Sequence, residues 1–101
     1  MATTSKALFR GAATTTTTTT LYTVPASTTT VVTNIAVTNT STTDHTFTLS
    51  LAGTALHTTT PVPANSTTYI DCKQVLVATN TIQGGASNVA LNFHIAGVEL
   101  T

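Results

Sequence analysis

Charge is what this sequence has least of. Lys6, Arg10 and Lys73 stand against Asp44, Asp71 and Glu99, so charged residues make up 6% of the chain and the net charge is zero. An ordinary globular domain carries roughly 25%. Nucleic acid is excluded as a partner by that shortage, because neutralising phosphates takes a basic stripe. Cys72 is the single cysteine, so no intrachain disulfide forms and nothing marks an oxidising compartment. The amino terminus lacks the apolar h-region of a secretory signal, and no apolar run approaches the ~20 residues a spanning helix needs. The expectation is a protein made in a cytosol, with no membrane partner. Helical periodicity with start and stop signals is missing throughout, which leaves strands.

Threonine takes the place of charge. It fills 29 of the 101 positions, so the solvated surface must be built largely of hydroxyls. At zero net charge there is little electrostatic protection against association. A chain that packs against copies of itself or against other subunits is therefore expected. Its length fits one domain, and with 41% hydrophobic residues but only five aromatics the core must be mostly aliphatic.

The organising stretch is Thr28 to Thr40, TTTVVTNIAVTNT. Successive strand side chains point to opposite faces. Strict alternation sends Val31, Thr33, Ile35 and Val37 inward and leaves Val32, Asn34, Ala36 and Thr38 outside. Val32 and Ala36 then make the outer face a candidate for subunit contact. His45 to Ala52 alternates as well, with Phe47, Leu49 and Leu51 on one side. The six-residue polar loop between these stretches predicts an antiparallel hairpin. Val89, Leu91, Phe93 and Ile95 predict a closing strand, which Gly97 is expected to kink. Shorter strands are expected at Leu21–Val24, Ala55–Thr58, Thr67–Asp71, Gln74–Val77 and Thr81–Gln83, with Gly84-Gly85 as a turn or bulge. Pro61 and Pro63 bar a central strand at their position. The fold class is all-β, a single β-sandwich (jelly-roll or Ig-like) of about 7–8 antiparallel strands.

Residues 1–20 are expected to form an extended arm, with the sandwich over 21–101. Thr14 to Thr20 is an unbroken run of threonines, whose β-branched side chains favour extended backbone. An arm this short and polar has no core of its own, so it is expected to lie on a neighbouring subunit. Leu8 and Phe9 would be its apolar anchors, flanked by Lys6 and Arg10.

Catalytic constellations are weak. His45, His57 and His94 show no HxH or HxxxH spacing, whereas a catalytic zinc needs three protein ligands brought together. Asp44 and His45 are neighbours, and neighbours on a strand face opposite ways. There is no Gly-x-Ser-x-Gly elbow, and the three acids are scattered rather than paired for glycoside hydrolysis. Cys72 beside Lys73 could be a reactive thiol, though a small buried residue fits it better. No catalytic residue, cofactor or metal site is expected.

Four motifs in order do carry a likeness. LYTVPAS–TTTVVTNIAVTNTS, HTFTLSL, PVPANSTTYIDCKQVLVATNTIQGGAS and LNFHIAGVEL resemble a group of small tailed-bacteriophage virion β-sandwich proteins, over about residues 8–101. Where that group often has Gly-Asp after its QVL strand, this chain has Thr79-Asn80, with asparagine suited to the left-handed position. The resemblance implies a non-enzymatic virion structural protein made in the host bacterial cytoplasm. The leading form is a capsid decoration or cement subunit that clamps its neighbours through the arm. It would be a homo-oligomer, such as a trimer, partnered by the major capsid protein. The alternatives are a tail- or baseplate-associated protein and a host-surface carbohydrate adhesin.

Overall fold

Alternating apolar and hydroxyl-bearing residues can bury one side of a strand and wet the other, and nearly every such stretch here is a strand. The computed structural model describes residues 3–70 and 73–101; the candidate acid Asp71 and the candidate thiol Cys72 lie outside the described residues. The strands are β1 (Thr3–Ala12), β2 (Thr20–Thr23), β3 (Thr29–Asn39), β4 (His45–Leu51), β5 (Thr54–Val62), β6 (Thr67–Ile70), β7 (Gln74–Leu76), β8 (Thr81–Ala86) and β9 (Leu91–Leu100). All pairings are antiparallel. One sheet runs β1-β9-β3-β6, with β7 also on β3; the other runs β2-β8-β4-β5. The fold is a two-sheet β-sandwich.

Between the sheets lie Val32, Ile35, Val37, Phe47, Leu49, Val62, Leu76, Ile82, Leu91, Phe93 and Ile95, almost wholly out of solvent. The rings of Phe47 and Phe93 meet edge-on at 6.1 Å, the arrangement their quadrupoles favour. Among the described residues, every buried side-chain nitrogen and oxygen has a hydrogen-bond partner.

Four expectations change. First, the chain's first strand is no arm. Residues Thr3–Ala12 pair with β9 from Thr3↔Leu100 to Ala12↔Asn92. Leu8 is 7% exposed within the core, and Phe9 packs against it. The division into arm and sandwich at residue 20 therefore gives way to one body whose edge strand is β1. Its closing strand β9 runs unbroken through Gly97 to Leu100. The missing side chain there makes room for Leu8, whose Cδ1 lies 2.9 Å from where a Cβ would be.

Second, the threonine run is a loop. Its ends bond to β8, Ala86 N–H to Thr14 O (2.8 Å) and Gly84 N–H to Thr19 O (2.9 Å). The Thr14 and Thr19 hydroxyls meet at 2.6 Å across the base. The loop passes so closely over Gly85 that an added Cβ would collide with the Thr14 and Thr16 carbonyls. Gly84-Gly85 is thus strand interior, bare so that other chain can lie on it, rather than a turn.

Third, β3 changes phase midway. Val32 pairs with Gly97 and Asn34 with Ala96, leaving Thr33 as an extra residue. Its hydroxyl caps the gap by donating to Ala96 O at 3.3 Å. A one-residue bulge swaps the faces. Thr30 and Val32 point inward before it, and Ile35, Val37 and Asn39 after it. Val32, fully buried, is core and not a contact residue.

Fourth, β3 and β4 form no hairpin, because they belong to different sheets. The buried Asn39 organises the crossing: its amide donates to Thr43 O and Val62 O, and its carbonyl accepts from Ser41. The tight hairpin is β4–β5, turned at Ala52 and Gly53, both with positive φ, the geometry that matches strand twist. Two smaller shifts accompany these. Val89 sits in an exposed turn before β9, where Asn88 Oδ1 accepts the Ala90 N–H. The left-handed residue of the next-to-last turn is Thr79, while Asn80 Oδ1 accepts the Val77 N–H.

Candidate interaction surface

The sheet ladders place residues in rows, and paired residues share a face. On the outer side of the first sheet one row reads Tyr69, Ala36, His94, Arg10 across β6, β3, β9 and β1. A second reads Val75, Val31, Val98, Ser5. Between them lie Asn34, Ala96 and Ala7. Arg10 is the one formal charge on these rows. Tyr69 is 74% and Val75 63% exposed, far above what a lone surface apolar residue needs explaining for, since here they adjoin further aliphatics.

The outer side of the second sheet has other chemistry. Thr46 and Thr48 of β4, Thr15 and Thr17 of the threonine loop, Thr59 of β5, and Ala86 and Ser87 line an open groove of about 230 Å³. Thr59 has φ 45°, a strained angle for a β-branched residue, and donates its N–H to Thr48 Oγ1 at 3.2 Å. The groove carries hydroxyls and no charge.

One polar cluster sits at the edge between the sheets. The Tyr22 hydroxyl bonds to Thr30 Oγ1 at 2.9 Å and donates to Glu99 Oε2. Lys6 Nζ lies 3.4 Å from the same carboxylate. Burial, then the neighbouring Glu99 carboxylate, pushes the Tyr22 hydroxyl above its usual 10.0. A phenol held protonated in this way is a strut joining β1, β2, β3 and β9, not a nucleophile.

The histidines stay apart. His45 Nδ1 is 3.5 Å from Ser87 Oγ, His57 stacks obliquely on Phe47 at 5.5 Å, and His94 is on the outer row. Among the described residues no group of three or more His, Cys, Asp or Glu side chains could hold a metal ion. Asp44 accepts the Ala64 N–H at 2.8 Å, which ties down a loop.

Of the candidate contact residues, Arg10 and Ala36 share the outer row; Ala36 is 9% exposed yet outside the core cluster. Lys6 is tied to Glu99, Leu8 and Phe9 pack on the core, and Val32 is inside it. Tyr69 and Val75 were not singled out from sequence. Adjacent apolar pairs, Tyr69-Ile70 and Val75-Leu76, leave open which member faces the core. Comparison with family models, with curated proteins and with solved structures finds no match.

Proposed function

We propose that the protein is a non-enzymatic structural subunit of a virion, a capsid decoration or cement protein that works by packing. The observation that carries this reading is the outer side of the first sheet, where the exposed Tyr69 and Val75 adjoin Val31, Val98 and small alanines and Arg10 is the one formal charge on the rows. Such a surface is costly to leave in water and easily buried against a partner. The order of the LYTVPAS, HTFTLSL, PVPAN and LNFHIAGVEL motifs supports the particle as its setting. The major capsid protein and further copies of this chain are its partners.

Particles assembled without this subunit and then mixed with labelled protein test the reading. Saturable binding is expected, lost with Val75→Lys on the apolar side and retained with Thr17→Lys in the threonine loop. Equal binding by the two variants, or none by wild type, would overturn it. The hydroxyl-lined groove beside strained Thr59 favours a second reading, a tail- or baseplate-associated protein or carbohydrate adhesin. Binding to host envelopes instead of particles, weakened by Thr17→Lys, would select it.

A further inference from the structure

We infer that the outer side of the first sheet is a self-complementary interface between two copies of this chain, with Arg10 of each copy on the Tyr69 ring of the other. This inference rests on the packing role proposed above and names the partner and the contact. The row Tyr69, Ala36, His94, Arg10 has an aromatic ring at one end and a guanidinium at the other. It crosses four strands, so its ends are about 14 Å apart and do not meet within one copy. A two-fold axis along the strands, between β3 and β9, turns the row end for end when two such sheets face each other. Tyr69 then lies opposite Arg10 twice, and Ala36 opposite His94 twice. Arginine over a tyrosine face is a favourable pair, more so once water is excluded. The same axis sets Val31 on Val98 and Val75 on Ser5.

Three further observations point to a second copy rather than a foreign partner. The rows contain no acid and, besides Arg10, only the imidazole of His94, which the rotation sets opposite Ala36, so Arg10 meets no like charge. The two arginines stay at opposite ends. With zero net charge, whole copies do not repel at long range. Size is adequate too: the molecule measures 45 × 21 × 18 Å, and a standard interface covers about 800 Å² per partner. Aligned sheets cross at about 30°, an offset the long arginine side chain spans.

Sedimentation equilibrium of the full chain and its variants decides the matter, with thermal melts confirming that each variant is folded. Wild type is expected to dimerise. Tyr69→Lys sets a second cation against Arg10 at both symmetric contacts and should weaken dimerisation about 100-fold, tenfold at each contact. Adding Arg10→Glu to Tyr69→Lys should restore it to within about fivefold, since the reversed charges now attract across the interface. Restoration must act between copies, because the two positions are too far apart within one. If Tyr69→Lys does not melt cooperatively, Tyr69→Ala and Arg10→Ala replace it, and the double variant should be no weaker than either single one. A wild type monomeric at about 1 mM, an unaffected Tyr69→Lys, or no rescue by the double variant overturns the inference. Monomers that still bind particles would overturn this pairing and leave the packing role standing. Dimers that ignore particles would do the reverse.

Discussion

The two sheets turn different surfaces outward. The first sets Val75, Val31, Val98 and small alanines among Asn34, His94 and Arg10, with Tyr69 and Val75 largely exposed. The second shows hydroxyls, and the threonine loop lies directly over its Gly85. A chain so short of charge can cover a sheet's outer side with threonine hydroxyls, as the second sheet does, or with small and aliphatic residues among a few polar ones, as the first does. The lesson is that hydroxyl-rich composition does not mean a uniformly hydrophilic surface. The position of the bulges decides which residues reach which side.

That contrast can be broken most severely at Val32. It lies four residues before Ala36 on β3, yet the bulge puts it inside. Val32→Lys should place an unpaired charge in the core and cost about 3–5 kcal/mol, a large share of a small domain's stability, read as a lowered midpoint in urea melts followed by circular dichroism. A Val32→Lys protein as stable as wild type would mean that strict alternation, not the bulge, sets the faces. Next is the covered side. Gly85→Ala forces a methyl against the loop carbonyls and should cost about 1–3 kcal/mol. Faster amide exchange should then appear at Gly84 and Ala86, whose N–H groups the loop satisfies.

The smallest effect concerns the strut between the sheets. Folding favours the protonated Tyr22 hydroxyl, whose folded pKa is raised above 10.0. The contribution is therefore whole below pH 10.0 and is lost as pH rises through the folded value. Tyr22→Phe should lower neutral-pH stability by about 1–2 kcal/mol and flatten that alkaline decline in urea melts. An unchanged slope would move the alkaline sensitivity to other groups.

Legibility tracked how local each physical cause was. Period-two stretches such as Phe47-Leu49-Leu51 and Leu91-Phe93-Ile95 disclosed strand and inner face together, because burial of a regular strand leaves a regular trace. Val31-Val32 and Tyr69-Ile70 did not, since both members of each pair can be buried and only the neighbouring strands choose. The threonine run, identical on both faces, held no information about whether it was strand, arm or loop. On the outer side of the first sheet stand Arg10 and Ala36, both candidates from sequence, beside Tyr69 and Val75, which local pattern did not mark.

By itself, the sequence determined an all-β domain with an aliphatic core, a surface of hydroxyls in place of charges, and a chain poorly defended against association. Those follow from composition and from spacing within single strands. Only the tertiary structure decided that β1 is a strand of the first sheet, that β3 and β4 part into different sheets, and that Val32 is buried while Tyr69 is bare. Each depends on pairing between residues far apart in the chain, and a single extra residue at Thr33 is enough to exchange the two faces of a strand.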